Sequence, residues 1–376
     1  MIRKHLRTLF WCALVLTTPH HLFAAAKSPT TARTLTHDTI FGPCDVSHPL
    51  VQKLLNHEVM QRLKYVDQHG PSTYYGGVPT FNRYKHSVGV FALLQKFDRP
   101  FVEQIAGLLH DASHTVFSHL ADRFFGTGNH RAYQDNIHQD YLETVGTDEV
   151  LAPYNLTVAH ILAEHPDFLP LKQKLPAMNA DRIQYNFETA LSWGKLTQAQ
   201  IDDIFGSLRL DGHTWYFTNV SHARQFAQLS VFFTENFWGA PENTAWHHWV
   251  VEAMRRAIDL KLFSLDTLHY GYDHTVIAAM ESSDDVVIQN SLHKCRNADS
   301  YFTVVTKDEP HDLVDHPKFR GIDPLVEQPD GTRATLTTLD AAFAAEFNRV
   351  KQWCKNGIYL KFTFPEVKNE SAVKKS

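Results

Sequence analysis

The sequence predicts a mostly helical fold with small β-hairpin elements and a C-terminal α+β region. Three observations support this. Apolar residues recur at helical spacing through most of the chain, an Asp-Gly pair lies at the centre of the alternating stretch "LRLDGHTWYFTNV" (208–220), and the runs "YFTVVT" and "IYLKFTF" occur only near the C-terminus. The 376 residues, 43% hydrophobic and 20% charged, are typical of a soluble globular protein with one large domain and an appendage, or two domains.

The N-terminal segment has the order of a secretory signal peptide. Basic "MIRKHLR" precedes the apolar run "TLFWCALVLTTP", and "FAAA" ends it with small residues. We therefore predict a signal peptide over residues 1–26, cleaved after Ala26, and an exported protein, periplasmic or secreted. The alternative, a membrane anchor, is disfavoured because the apolar run is too short to span a bilayer. After cleavage we expect no membrane span, and residues 27–36 read as a polar linker.

The cysteines and the net charge limit other readings. Cys12 would leave with the signal peptide, and Cys44, Cys295 and Cys354 form neither a disulfide framework nor a zinc-ribbon pattern. One bridge and one free thiol are compatible with an oxidising compartment, and the pairing stays open. A formal net charge of −5 argues against general nucleic-acid binding.

The remaining chain divides into helical patterns. Val51, Leu54, Leu55, Val59 and Leu63 recur at helical spacing, and "GPSTYYGGVPTFN" after them is a loop. Further helices are predicted over 83–96, 101–112, 115–124, 135–145, 155–163, 179–192, 221–235 and 242–268. We assign one domain to 37–285, a C-terminal α+β region to 286–364 and a disordered tail to 365–376. The aromatic stretch 237–254 is expected to be buried core; capping a pocket or forming a subunit interface are the alternatives.

One apolar segment, "GLLHDASHTVFSHLAD" (107–122), carries three histidines and two aspartates. The chain has three His-Asp pairs, but only His110-Asp111 ends an apolar helical run. On a continuous helix, Asp111, His114, Ser118 and Asp122 would share one stripe. Burying that stripe costs several kcal/mol unless its groups are paired or bind a metal. We therefore predict a metal site here; a solvated polar helix face is the alternative.

Several segments together resemble a known family. They are "DTIFGPCDVSHPLVQKLLNHEVMQRLKYVDQHG", "NRYKHSVGV", "HDASHTVFSHLAD", "HQDYLE" and "NADRIQY", in this order. Over about residues 37–190 the chain resembles the HD-domain phosphohydrolases, specifically the branch that contains the deoxynucleoside triphosphate triphosphohydrolases. The resemblance implies an HD-domain helical fold and hydrolysis of phosphate esters or anhydrides.

The resemblance also implies a divalent metal ion, with His86, His110, Asp111 and Asp181 as its ligands. Two imidazoles and two carboxylates suit Mn, Fe, Ni, Zn or Mg and do not distinguish among them. Taken alone, His86 is equally explained as a surface histidine in a basic turn. Asp181 alone is equally explained as a helix N-cap.

Further roles follow from the resemblance. The expected catalytic or phosphate-contacting residues are His114, His119, Asp122 and His138. Arg83 and Arg182 offer forked donors for phosphate oxygens, although either is also explained as a surface charge. Tyr185 and Gln68 match positions near the sugar and base. The implied partner is a phosphorylated small molecule, in the first place a nucleotide, and the family's habit of oligomerising makes a homo-oligomer an expectation.

The chain also departs from the triphosphohydrolases. It has "SHTVFSH" where the family has "GHGPFSH", Thr189 where nucleotide-specific members carry an acidic residue, and a short segment between His138 and Asp181. An exported enzyme would also need an extracytoplasmic or host-derived substrate. Our first hypothesis is an exported metal-dependent phosphohydrolase similar to a dNTP triphosphohydrolase. The alternatives are a broader phosphomonoesterase or phosphodiesterase, and a catalytically silent nucleotide-binding protein on the same scaffold.

Overall fold

The computed structural model describes residues 35–126 and 133–363. The predicted signal peptide, residues 27–34 of the predicted linker and the predicted tail lie outside the described residues. Within them the chain is mostly helical with small sheets, which confirms the predicted fold class. The helices are α1 (Pro49–Asn56), α2 (Glu58–Arg62), α3 (Ser72–Tyr75), α4 (Arg83–Lys96), α5 (Phe101–Leu109), α6 (Leu120–Phe124), α7 (Tyr133–Thr144), α8 (Thr147–Leu151), α9 (Ala180–Ser192), α10 (Gln198–Gly206), α11 (Val220–Phe233), α12 (Pro241–Asp259), α13 (Leu265–Tyr270), α14 (Asp273–Glu281), α15 (Val286–Arg296), α16 (Leu336–Leu339) and α17 (Ala341–Asn356).

The strands form three small sheets. They are β1 (Thr36–Thr39), β2 (Gly42–Asp45), β3 (Leu208–Asp211), β4 (Thr214–Phe217), β5 (Phe302–Val305), β6 (Leu313–Asp315), β7 (Leu325–Glu327), β8 (Arg333–Thr335) and β9 (Ile358–Phe362). Their orders are β1-β2, β3-β4-β7-β8 and β5-β9-β6. The predicted hairpin is present, with β3 and β4 antiparallel around Asp211-Gly212. Strand β7 pairs with β4 in parallel, so a C-terminal strand extends a sheet that begins near residue 208.

Helix α4 lies at the centre of the fold and carries the first site residues. The side chain of Asn82 caps its N-terminus by accepting a hydrogen bond from the Lys85 N–H at 2.9 Å. Ten of its fourteen residues are buried, and it packs against both α5 and α9. A helix that is buried on nearly every side holds its polar residues in fixed positions. His86 and Arg83 are the buried polar residues on α4 that matter most below.

The predicted continuous helix through the His-Asp segment is wrong. Helix α5 ends at Leu109, α6 begins at Leu120, and the residues between them form successive turns. Phe117 and Ser118 have φ of 58° and 56°, values in the left-handed region that no α-helix contains. Tertiary hydrogen bonds hold this conformation, because the buried Asp273 carboxylate accepts from the Phe117 N–H at 2.8 Å. The predicted helical stripe of polar residues therefore does not exist as such.

Three other predicted helices differ in extent. The pattern of 51–63 is divided at His57 into α1 and α2, and the predicted helix over 155–163 is only the 3₁₀ turn Val158–Ile161. The predicted helix over 242–268 ends at Asp259 and resumes at Leu265, because Lys261 adopts a φ of 59°. The predictions for α4, α7 and α9 agree with the structure within two residues at each end.

The C-terminal residues pack into the same body as the rest. The predicted boundary near residue 285 falls just before α15, and α15 packs along α12 in one hydrophobic cluster. The described residues from Leu35 onward belong to one compact unit. In the aromatic stretch, Trp249 is core, as predicted, with 1% of its surface exposed, whereas Trp238 lines the cavity described below.

Cysteine placement and helix lengths answer two further questions. Cys44 and Cys295 are buried free thiols, so no disulfide joins any two of Cys44, Cys295 and Cys354. Burial raises the pKa of Cys44 to about 11, which makes that thiol a weak nucleophile at neutral pH. Among the helices of the described residues, none combines the length and the apolar character that crossing a bilayer requires.

Candidate active site

Four predicted metal ligands meet at the junction of three helices. His86 projects from α4, His110 and Asp111 follow the last residue of α5, and Asp181 lies in the first turn of α9. The Nε2 atoms of His86 and His110 are 3.1 Å apart. Asp181 Oδ1 lies 3.2 Å from the first and 3.8 Å from the second. The alternative role for Asp181 is excluded, since Asn179 is the N-cap of α9.

Hydrogen bonds on the far side of each ring fix the two imidazoles. His86 Nδ1 contacts Gln184 Oε1, and His110 Nδ1 lies 2.8 Å from the Gly107 carbonyl oxygen. Both oxygens only accept, so both Nδ1 atoms donate and both Nε2 atoms are left as acceptors. Two acceptor nitrogens at 3.1 Å repel each other unless a proton or a metal cation lies between them. This arrangement therefore fits a pair of metal ligands.

The two carboxylates complete a donor set for a divalent cation. Donor atoms of His86, His110 and Asp181 all lie within 4.8 Å of one another. Asp111 oxygens lie 3.4 Å from each histidine Nε2, and this carboxylate also binds Arg83. Burial alone would raise the pKa of Asp111, but the Arg83 guanidinium and His110 hold it well below its usual range. The histidines do the same for the pKa of Asp181. Both aspartates are therefore ionised, as metal binding requires, and a divalent metal is indicated.

The other predicted histidines differ in position. His114 Nε2 lies 3.3 Å from Asp111 Oδ1, and its ring is perpendicular to that of His119 at 5.0 Å between centroids. His119 Nδ1 lies 3.5 Å from Asp122 Oδ2, as expected of a carboxylate that orients an imidazole. Burial lowers the pKa of His119 to about 4, so this ring is neutral at pH 7. His138 instead lies behind the cavity wall, with Nδ1 2.8 Å from Ser113 Oγ, and its catalytic role stays a prediction.

The predicted substrate-side residues also divide into two groups. Arg83 is 1% exposed and donates from Nε to Ser118 Oγ at 2.8 Å; its Nη2 has no partner within the described residues and lies at the cavity. Arg182 lines the same cavity but donates to the carbonyl oxygens of Ala177 and Gln173 at 2.6 and 2.7 Å. Arg83 is therefore better placed to receive a phosphate oxygen than Arg182.

The cavity beside these groups has a volume of about 170 Å³. Gln68 and Tyr185 line it, as does Thr189, so the predicted sugar and base positions face the cavity. Sequence reasoning missed five further lining residues: His69, Lys172, Trp238, Lys318 and Arg320. Nothing in their local sequence carries a signal, since each reaches the cavity only through packing between distant segments.

Gln184 positions His86, and its replacement provides a test of the metal centre. The loss of such an outer partner typically lowers metal affinity about 10- to 100-fold. We expect this reduction for Gln184→Leu, measured as metal retained after dialysis against a chelator series. Gly89→Ala should act in the same direction, since an added Cβ would lie 2.5 Å from Gln184 Nε2. Gln139→Leu, on the exposed face of α7, is the control; equal affinities in all four proteins would contradict this assignment.

Comparison with known proteins agrees with this geometry. The chain is 33% identical to the metal-dependent phosphohydrolase cns2 of Cordyceps militaris over 175 residues, which cover 46% of the chain and 50% of that protein. It is 34% identical to the deoxynucleoside triphosphate triphosphohydrolase SAMHD1 of Bos taurus over 104 residues, covering 24% of the chain and 18% of that relative. The chain thus spans half or less of the length of these relatives. No family profile matches it.

The fold comparison extends over more of the chain. A phosphohydrolase from Bacteroides thetaiotaomicron superposes with a TM-score of 0.67 at 16% identity, covering 87% of this chain and 99% of that structure. At this identity the likeness shows a shared fold. Together the comparisons confirm the predicted resemblance: the chain is similar to the HD-domain phosphohydrolases and, within them, to the deoxynucleoside triphosphate triphosphohydrolase branch. The names of these relatives support the prediction of a hydrolase.

Proposed function

We propose that the protein is a metal-dependent phosphohydrolase acting on a phosphorylated small molecule. One observation carries the proposal. Two histidine Nε2 atoms and two ionised aspartates converge beside a buried arginine whose Nη2 is unpaired within the described residues and lies at a cavity. Carboxylate and imidazole donors suit a divalent cation, and a guanidinium fork suits phosphate oxygens.

The side chains divide the chemistry among them. A bound divalent cation would polarise a phosphoryl oxygen and lower the pKa of coordinated water. Arg83 Nη2 donates to the charge that develops on the transferred group. His119 is neutral at pH 7, and Asp122 at its Nδ1 leaves Nε2 as the acceptor that faces the cavity, so we assign it the role of general base. His114, held against Asp111, contributes a second neutral imidazole to the same wall.

We infer that the substrate is a nucleotide and, most specifically, a deoxynucleoside triphosphate. The similarity to SAMHD1 over 104 residues supports this, together with the positions of Gln68 and Tyr185 at the cavity. The departures at Thr189 and at the "SHTVFSH" segment make a direct assay necessary. Mn, Fe, Ni, Zn and Mg are all candidates for the metal.

The test is a substrate panel on the purified chain. The protein is stripped with a chelator and reloaded separately with each of the five metals. It is then assayed for release of orthophosphate and tripolyphosphate from deoxynucleotides, ribonucleotides, p-nitrophenyl phosphate and bis(p-nitrophenyl) phosphate. Tripolyphosphate from a deoxynucleotide is the expected product. Orthophosphate release or diester cleavage alone would indicate the broader phosphatase or phosphodiesterase. Metal binding without any turnover would refute the enzyme and leave a silent binding protein.

Export and self-association are further proposals. The basic, apolar and small-residue order of residues 1–26 supports export, and the mass of the mature chain, beginning at Lys27, tests it. Homo-oligomerisation rests on the family resemblance alone, and light scattering of the purified chain tests it.

A further inference from the structure

A segment outside the HD-like region completes the wall of the cavity. Its side chains Lys318 and Arg320 line the cavity together with His110, Asp111 and Asp181. The segment precedes β7 and lies more than 120 residues beyond the last metal ligand in the chain. Its placement therefore depends on tertiary contacts.

Those contacts fix the segment on both sides of Arg320. The Arg320 N–H donates to Thr234 Oγ1 at 3.3 Å, and the Ile322 N–H donates to Ser230 Oγ at 2.9 Å. Ile322 is fully buried. Gly239 permits the close approach, because a Cβ there would lie 2.9 Å from Pro317 Cβ. The two cations are thus held at the cavity by a packed backbone.

Neither cation has a carboxylate partner within residues 35–126 and 133–363. Arg320 Nη2 lies 3.3 Å from His119 Nε2, and its guanidinium lies 5.6 Å from the centre of the Trp238 ring. Lys172, by contrast, is neutralised by ion pairs with Asp135 and Glu164. The Arg320 charge, followed by burial, lowers the pKa of Lys318 to about 8. Two like charges that repel each other at a cavity are stabilised when an anion enters between them.

The charge balance of the whole cavity points the same way. Five cationic and four acidic side chains line it, and the four acidic groups are already engaged by histidines, Arg83 or Lys172. A divalent cation at the ligand cluster would add two more positive charges. Arg83 is positioned for a first phosphate next to those ligands. Lys318 and Arg320 remain for additional negative charge on the same molecule.

We propose that Lys318 and Arg320 form a second anion subsite that selects substrates carrying more than one phosphate group over phosphate monoesters. The inference rests on the proposed function for its meaning, but the subsite itself is an equilibrium binding property. Arg320 also bonds His119, so it is a substrate-binding residue placed where it couples the second anion to the candidate base.

The test compares two inorganic probes, tripolyphosphate and orthophosphate, by calorimetric titration of the metal-loaded full chain at one fixed free-metal concentration. Hydrogen bonds to charged groups correspond to a factor of about 10 to 100 in affinity. We expect wild type to prefer tripolyphosphate, and Arg320→Gln to lose about that factor for tripolyphosphate and several-fold less for orthophosphate. Lys318→Gln should act in the same direction, whereas Lys307→Gln, exposed and outside the cavity, should match wild type.

Two results would overturn the subsite: equal affinity of wild type for both probes, or an unchanged preference in both cavity variants. Arg320→Lys guards against a folding artefact, because it keeps the charge and should retain part of the preference, and thermal unfolding is checked in each variant. The substrate panel separates the two proposals. Tripolyphosphate preference without turnover retains the subsite and refutes the hydrolase, whereas turnover with no preference does the reverse.

Discussion

Replacing Asp181 with asparagine should abolish tight metal binding and reduce metal-dependent turnover by about 10³-fold or more. The change removes one negative charge with almost no change in shape, at a carboxylate 3.2 and 3.8 Å from the two imidazole Nε2 atoms. Metal polarisation of a phosphoryl oxygen stabilises the transition state by several kcal/mol, and each ~1.4 kcal/mol is tenfold in rate. Metal content after dialysis and steady-state rates on the best panel substrate measure both effects.

The chain provides a matched control for this variant. Asp38 belongs to another of the three His-Asp pairs but is exposed and far from the cavity lining. Asp38→Asn should therefore keep wild-type metal content and rate. Full metal retention with at least a tenth of wild-type turnover in Asp181→Asn would show that Asp181 is no ligand.

Arg83→Met should destabilise the metal-free protein by about 3–5 kcal/mol, the usual result of removing one partner of a buried ion pair. Arg83 is 1% exposed and Asp111 6%, so the carboxylate would be left without its cation in a site that water scarcely reaches. Bound metal should restore part of the loss, since a divalent cation also neutralises Asp111. Turnover should fall by about 10²- to 10³-fold, because an oriented donor to the transferred group disappears.

Urea unfolding of the metal-free and metal-loaded forms measures the stability effect. Arg209→Met, on the exposed face of β3, is the control and should stay within about 0.5 kcal/mol of wild type. The double variant Arg83→Met with Asp111→Asn should be more stable than Arg83→Met alone, because no unpaired charge remains. If Arg83→Met lost less than about 1 kcal/mol, the ion pair would not hold this part of the core together.

The metal ligands could be predicted from sequence because each lies in a short segment with its own pattern. His86 follows a helix cap, the His110-Asp111 pair ends an apolar run, and Asp181 opens a helix. The break after His110 could not be predicted. Residues 110–119 have helical spacing, and the left-handed turn at Phe117 depends on a hydrogen bond to Asp273, which is 156 residues away. Spacing within a segment contains no information about such a partner.

The same reasoning explains why the second group of cavity residues was missed. "HPKFRG" is an ordinary basic stretch, and only Thr234, Ser230 and the β4–β7 pairing bring Arg320 to the candidate base. Arg182 shows the converse. Its position in the motif predicted a phosphate contact, but the backbone carbonyls of Ala177 and Gln173 engage its outer nitrogens.

The contact between Arg320 and His119 joins residues that are 201 positions apart in the chain. Loop-closure entropy opposes contacts of such separation, and they tend to form late in folding. During synthesis the metal ligands emerge long before residue 320, so a nascent chain would contain the complete ligand set while one wall of its cavity was still missing. Catalytic competence is in this sense the last property the polypeptide acquires, and a ribosome-bound fragment ending before β7 would hold a cation in an unfinished chamber.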